Sequence, residues 1–185
     1  MPAHNTAQRW GWIAQTFHWL MFALIVSAWW AVDQHENFPK GSLERGEWMS
    51  LHKAFGLSVF MLVWLRLAWR LSGSVPAPAI VSVWQHRAAQ GVHWALYFMM
   101  IAMPFSGLLM SQYAGRAVSW FGIFTVPVFL EQNKELAGQI KDLHTDVLWP
   151  LLLTLLVLHV VAALWHQFIV KDGLLKRMLP FTFRT

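Results

Sequence analysis

Residues 147–170 read VLWPLLLTLLVLHVVAALWHQFIV, a run that contains no Asp, Glu, Lys or Arg. A helix rises about 1.5 Å per residue, so about 20 apolar residues cross the roughly 30 Å hydrocarbon core of a bilayer. Residues 10–32 and 88–115 form two more charge-free runs of sufficient length. A fourth run, about 48–71, is less clean, because Lys53 and Arg66 leave only residues 54–65 free of charge between them. It is long enough to span if the side chains of Arg66 and Arg70 reach the interface. The pattern predicts an all-α integral membrane four-helix bundle.

We expect a single membrane domain over residues 1–185, with spans at approximately 10–32, 48–71, 90–111 and 146–170. The composition agrees, because 57% of the residues are hydrophobic and only 12% are charged, against about 25% charged in a soluble domain. The chain has no cysteine, which excludes disulfides, thiolate metal sites and covalent C-type haem attachment. The N-terminus lacks the basic start of a secretory signal, so the first run is expected to be a retained helix.

The net charge of +5 does not indicate nucleic-acid binding, because the basic residues flank the apolar runs as they do in membrane proteins. Four spans place both termini on one side. That side receives eight Lys/Arg and the other side six, which favours cytoplasmic termini. The eight are Arg9, Arg66, Arg70, Arg87, Lys171, Lys176, Arg177 and Arg184.

Three connections remain, at residues 33–47, at 72–85 with Pro76 and Pro78, and at 112–143. Within the last, residues 118–127 are apolar but too short to span, so we expect them to lie on the membrane surface as a cover. Residues 171–178 are expected to form a short interfacial helix.

Six histidines lie in or at the ends of the spans: His18, His52, His93, His144, His159 and His166. An ionisable side chain in a bilayer is costly and usually functional, although any one histidine could simply hydrogen-bond a neighbouring helix. Imidazole is a common axial ligand of haem iron, and bundles build such sites between facing helices. A haem iron held by two histidines on facing helices is therefore the favoured hypothesis.

The depths of these histidines suggest two levels. His52 and His144 share the outer level, whereas His18 shares the inner level with either His159 or His166. His159 follows His144 by 15 residues, or roughly 22 Å along a helix, so one helix can serve two centres. The same spacing leaves about 60° of rotation between the two side chains, which a bend or bulge at Pro150 could correct.

At these residues the sequence resembles the bacterial cytochrome b561 family, which is related to the cytochrome b subunits of membrane hydrogenases and formate dehydrogenases. The resemblance covers nearly the whole chain. Its motifs are Phe17-His-Trp-Leu20, Leu51-His-Lys-Ala-Phe-Gly56 followed by Arg66, Gly91-Val-His-Trp-Ala-Leu-Tyr97 with Pro104 and Gly107, Leu158-His159 through His166, and Lys171-Asp172 with Leu175, Arg177 and Met178.

The resemblance implies two non-covalent haems b between the helices. It assigns His18 and His159 as axial iron ligands of the inner haem, and His52 and His144 as those of the outer haem. The spacing between His144 and His159 is one residue longer than is usual in the family. Gly56 and Gly107 are expected to allow close approach, either of a porphyrin or of another helix.

The family also implies electron transfer from an outer-face donor, for which superoxide is one version, to a quinone such as ubiquinone. Candidate residues for this chemistry are His166 and His93 near the inner haem, and Lys53 and Arg116, with Lys141, as a basic rim over the outer haem. For the histidines the alternative is a structural hydrogen bond, and for the rim it is ordinary contact with the membrane interface.

Two other functions stay open. The chain could be an electron-transfer subunit for a periplasmic redox protein, which an apolar exposed surface at residues 118–130 would favour. It could also be a scaffold or transporter whose histidines relay protons or bind another metal, with no haem spectrum.

Overall fold

The computed structural model describes residues 2–77 and 82–179, so Pro78 and Arg184 lie outside the described residues. Its helices confirm the predicted all-α membrane fold, because four of them are long and apolar enough to cross a bilayer. The long helices are α1 (Trp12–Glu36), α2 (Leu43–Leu71), α3 (Val83–Tyr113) and a fourth helical stretch, Lys134–Val170.

The fourth stretch is not uniform. It comprises α4 (Lys134–Asp142), a π-helical segment (Leu143–Leu148), α5 (Trp149–Trp165) and a second π-helical segment (His166–Val170). Helix α4 lies in what the sequence suggested was a loop, because its charged residues excluded it from the charge-free run. The side chain of Asn133 caps it by accepting a hydrogen bond from the Leu136 N–H at 2.9 Å.

The first π-helical segment ends at Leu148, two residues before Pro150. Proline has no N–H and cannot continue the regular hydrogen-bond ladder. The Trp149 N–H instead donates to the His144 carbonyl, five residues back. This widened turn absorbs one extra residue, as π-bulges do within α-helices. The bulge anticipated at Pro150 is therefore present.

Polar N-caps begin α2 and α3. The Ser42 side chain accepts from the Arg45 N–H, and Ser82 forms a reciprocal capping box with Gln85. Both helices start earlier than predicted because their first turns project beyond the apolar run.

The helices pack through two small apolar clusters. One joins α1, α2 and α3, and the other joins α3 to the fourth helical stretch. Leucine and valine side chains on the opposite face of α5, such as Leu151 and Val157, are exposed. In water this would be costly, whereas in a bilayer that face contacts lipid.

Residues 118–126 form a β-hairpin, and the predicted position of this segment as a cover on the membrane surface stays a prediction. Strand β1 (Val118–Trp120) pairs antiparallel with β2 (Phe124–Val126). Trp120 donates its indole N–H to the Ser58 hydroxyl at 2.9 Å, and Phe121 packs edge-on against Phe55. The hairpin therefore packs against the side of α2.

The two termini meet at one end of the bundle, as four spans require. The Gln15 amide donates to the Arg177 carbonyl at 3.2 Å, and the Trp19 indole donates to the Met178 carbonyl at 2.9 Å. The predicted helix at 171–178 is wrong, since only a single 3-10 turn, Leu175–Arg177, forms there. Lys171 has left-handed backbone geometry with φ 58°, and this reverses the chain before a helix can begin.

Candidate functional site

His52 on α2 and His144 in the first π-helical segment face each other at the outer level. Their ring centroids are 6.3 Å apart. His144 is buried, although it sits in a segment whose neighbouring residues are mostly exposed. The widened turn before Pro150 therefore aims this histidine into the bundle.

The Nδ1 atoms of both outer histidines are occupied. His52 donates from Nδ1 to the Ala28 carbonyl at 2.8 Å. His144 Nδ1 lies 2.8 Å from the Ser106 hydroxyl, which itself donates to the Met103 carbonyl at 2.7 Å and so accepts from the imidazole. Each ring therefore carries its proton on Nδ1 and keeps the Nε2 lone pair for a metal, as metal-binding histidines generally do.

Gly107 gives His144 the room that it needs. A Cβ added at Gly107 would lie 3.2 Å from Cε1 of the His144 ring. The close approach anticipated at this glycine is thus made by an imidazole. A Cβ at Gly56, one turn after His52, would meet no protein atom within 4 Å. That face of α2 can therefore accept a bulky group beside the outer histidines.

Three histidines gather at the inner level. The ring centroids of His18 on α1 and His159 on α5 are 6.0 Å apart, and His93 on α3 lies 5.4 Å from His159. His166 is not part of this group. Its Nδ1 lies 2.6 Å from a carboxylate oxygen of Asp172.

The contact between His166 and Asp172 depends on the reversed backbone at Lys171, which returns the carboxylate to the end of the last span. The other oxygen of Asp172 accepts from the Leu174 N–H at 2.9 Å. Burial acts to raise the pKa of Asp172, but the Leu174 N–H and His166 outweigh it and hold that pKa below its usual range.

At the outer end, Lys53 and Arg116 lie close enough for their charges to act on each other. Among the described residues, no carboxylate forms an ion pair with either side chain. Lys141, the third member of the predicted rim, instead lies 3.9 Å from the Asp142 carboxylate. Of the three cations in the predicted rim, Lys53 and Arg116 therefore remain without a carboxylate partner among the described residues.

Both outer and inner pairs fit a metal held between two imidazoles. A metal–nitrogen bond of about 2 Å on each side, plus about 1 Å from nitrogen to ring centre, separates two centroids by about 6 Å. Within residues 2–77 and 82–179, no group of three or more His, Asp or Glu side chains is arranged to hold a bare metal ion. Pairs of histidines facing across a bundle suit a haem iron, whose porphyrin supplies the other ligands.

The sequence profile of prokaryotic cytochrome b561 matches residues 9–181. The chain belongs to the prokaryotic cytochrome b561 family. It is therefore a multi-pass bacterial membrane protein of electron transport, in a family whose members bind haem b.

Curated relatives agree over most of the chain. Cytochrome b561 homolog 2 of Escherichia coli K12 is 34% identical, over 97% of this chain and 95% of that protein. Cytochrome b561 homolog 1 of the same organism is 32% identical, over 88% of this chain and 92% of the relative. Probable superoxide oxidase CybB of Yersinia pestis is 28% identical, over 88% of this chain and 91% of the relative.

Two side chains that hydrogen-bond the histidines of this cytochrome b561 were not predicted from the sequence. Ser106 lies one residue before the noted Gly107, yet its link to His144 depends on tertiary packing. Asp172 was noted only as part of a terminal motif, because nothing in the sequence places it back on His166. Lys171, which lies between His166 and Asp172, has left-handed backbone geometry. Because it is not a glycine, the turn has no clear signal in the sequence.

Proposed function

We propose that this cytochrome b561 binds two haems b in series and transfers electrons from superoxide at its outer end to a quinone at its inner end. The proposal rests on two histidine pairs that lie at two levels of the bundle. The pairs are His52 with His144 and His18 with His159, and the two ring centroids of each pair are about 6 Å apart. Each haem would supply a one-electron carrier whose potential depends on its axial ligands and surroundings.

The outer end is suited to a small anion. Lys53 follows the outer ligand His52 directly, and Arg116 lies near it without a carboxylate partner among the described residues. A positive rim raises the local concentration of an anionic donor and its rate of association. The name of the Yersinia pestis relative, probable superoxide oxidase, supports superoxide as that donor.

The reaction balances with two donors for each acceptor. Two superoxide anions each give up one electron and leave as O2. One quinone takes both electrons and two protons and becomes a quinol. The protein must therefore supply protons at the inner end, and we propose cytoplasmic termini, so that these protons come from inside the cell.

His166 is the proposed proton donor to the quinone. Its Nδ1 is directed to Asp172 at 2.6 Å, which leaves Nε2 as the atom that can contact a quinone oxygen. Asp172 is the acceptor that orients the ring, much as a carboxylate orients the imidazole in other acid–base sites. His93 remains a second candidate for proton transfer, because it lies beside His159.

The proposal is tested with purified protein in nanodiscs, with a steady enzymatic source of superoxide and a soluble ubiquinone analogue. We expect superoxide to reduce the haem absorption bands and the quinone to reoxidise them. Lys53→Gln and Arg116→Gln should each slow reduction several-fold and weaken its dependence on ionic strength. Lys141→Gln, whose cation already has a carboxylate neighbour, serves as the control. Haem bands that superoxide leaves oxidised would rule out superoxide as the donor.

A second candidate, an electron-transfer subunit for a periplasmic partner protein, is favoured by the apolar exposed surface after β1. In that segment Ile123 is 72% exposed and Phe129 is 76% exposed. A partner that docks there would require an apolar surface. Ile123→Glu should then abolish reduction by the partner and leave reduction by superoxide unchanged. Equal rates for the variant and the wild type in both assays would reject this candidate.

A further inference from the structure

Two arginines near the inner end of α2 have no counter-charge within the part of the chain that the structure describes. Arg66 and Arg70 are one turn apart, so their side chains share a face of the helix. Among the described residues neither forms an ion pair with a carboxylate. A guanidinium is always charged, and burying it in a membrane span without a partner is costly.

The groups that these arginines contact are neutral. Arg66 lies 3.7 Å from the Met21 sulfur, 3.2 Å from His18 Nδ1 and 5.4 Å from the centre of the Tyr97 ring. The Arg70 guanidinium lies 5.6 Å from the Tyr97 ring centre and 5.9 Å from that of Trp10. The Tyr97 side chain also accepts a hydrogen bond from Arg66. The aromatic faces offset part of the desolvation cost, but among the described residues they bring no negatively charged oxygen to either guanidinium.

The two guanidiniums line one cavity. Its wall also includes Trp10, Trp69 and Tyr97, and the tail residue Met178. The N-terminal and C-terminal segments meet over this end of the bundle. The cavity is thus a positively charged recess with aromatic walls, next to the inner ligand pair.

The contact between Arg66 and His18 cannot persist with iron on His18. An arginine N–H can only donate, so His18 Nδ1 must accept in this contact. A neutral imidazole that gives its Nε2 lone pair to iron carries its proton on Nδ1, as the hydrogen bonds of His52 and His144 also require. Arg66 must then turn to another acceptor.

We propose that Arg66 and Arg70 form an anion site that binds a carboxylate or phosphate group beside His18. The two sources of such a group at this depth are a propionate of the haem held by His18 and His159 and the headgroup of an anionic lipid. The planar fork of arginine suits both, because it binds two oxygens of either group. The propionate case rests on the proposed function, whereas the phosphate case does not.

The test uses the purified holoprotein in nanodiscs and the variants Arg66→Gln and Arg70→Gln. Haem loss is followed as transfer to excess apomyoglobin, and the midpoint potential of each haem is titrated. Nanodiscs contain phosphatidylcholine alone or a mixture with phosphatidylglycerol. Arg87→Gln is the matched control, since Arg87 is exposed and its guanidinium lies over the Trp84 ring, away from the inner histidines.

If a propionate occupies the site, each variant should lose one haem about tenfold to a hundredfold faster than the wild type, in both lipids. The midpoint potential of that haem should also fall, because a cation that stabilises the reduced form is gone. If lipid phosphate occupies the site, the wild-type potential should depend on phosphatidylglycerol, and Arg66→Gln should remove that dependence. Arg66→Lys, which keeps the charge but not the fork, should lie between the wild type and Arg66→Gln.

Variants that match both the wild type and Arg87→Gln in haem loss, potential and lipid dependence would overturn the anion site. A wild type that holds fewer than two haems would instead contradict the proposed function. In that case the number of phosphatidylglycerol molecules retained by the wild type and by Arg66→Gln, counted by native mass spectrometry, still decides whether the arginines bind phosphate. Size-exclusion profiles and tryptophan fluorescence show that each variant is folded before it is compared.

Discussion

At the scale of single residues, each histidine pair makes a separate prediction about haem content. We expect His52→Ala and His159→Ala each to reduce haem b from two per chain to about one, because an iron deprived of one axial imidazole is held weakly. Pyridine haemochrome analysis of the purified variants measures this ratio. His93→Ala is the control and should keep both haems. Loss of a haem from His93→Ala but not from His18→Ala would assign the inner ligand to His93.

The contact between Asp172 and His166 leads to a second prediction at the scale of single residues. Its pKa is lowered in the folded protein, so its contribution to holding the tail is complete above the ordinary carboxyl pKa of about 4. That contribution is lost as the pH falls through the lower folded value. Near neutral pH, Asp172→Ala should slow reoxidation of the reduced protein by quinone about tenfold. His166→Gln should slow it about a hundredfold, because it removes the proton donor itself.

Stopped-flow reoxidation of the haem bands across a range of pH measures both variants. Lys176→Gln, which changes an exposed residue of the same tail, is the control. A role limited to folding would lower the yield of the Asp172 variant without changing the shape of its pH–rate profile. Such a result would remove Asp172 from the proton route.

At the scale of elements, the first π-helical segment explains how His144 and His159, the two proposed ligands 15 residues apart, can face the same side of one helical stretch. A π-bulge absorbs one residue, so the spacing behaves as though it were one residue shorter. Deleting Thr145 should therefore convert the segment to regular α-helix and leave both haems bound. Deleting Val157 shortens the same interval but keeps the bulge, and should turn His144 away from His159 by about 100° and cost one haem.

Haem content and the visible spectrum of the two deletion variants provide the measurement. Thr145 and Val157 are both exposed in the described structure, so neither deletion opens the packed interior. If both deletions lost a haem, the bulge would be needed for more than the phase of the helix. If both kept two haems, the ligands would tolerate rotation and the phase argument would fail.

The elements also show what could be predicted from the sequence. Charge-free runs indicated the spans, and Pro150 indicated the bulge, because both effects act within a few residues along the chain. Helix α4 and the hairpin were missed, since the first is polar and the second is stabilised by contacts of Trp120 and Phe121 with α2. The partners of His144 and His166 depend on packing and on a left-handed turn, neither of which has a clear signal in this sequence.

At the scale of the whole molecule, the arrangement of the four helices sets the direction of charge movement. The outer and inner pairs are separated by about 15 residues of the same helical stretch, or roughly 22 Å of the bilayer. In the proposed reaction, electrons that enter beside Lys53 and leave near His166 would therefore cross much of the hydrocarbon core. If protons for the quinol enter from the side of the termini, both movements make that side more negative.

We therefore expect superoxide-driven quinone reduction to be electrogenic. In proteoliposomes selected for an outward-facing outer end, superoxide generated in the bath should make the lumen negative, and a cationic dye should accumulate inside. Valinomycin with potassium should abolish the dye signal and speed turnover, since the potential opposes further charge movement. His159→Ala vesicles are the control, because they can accept an electron at the outer pair but should develop no potential. Quinone reduction that proceeds at full rate with no potential would place the quinone site at the same end as the donor, and His166 would then have no part in it.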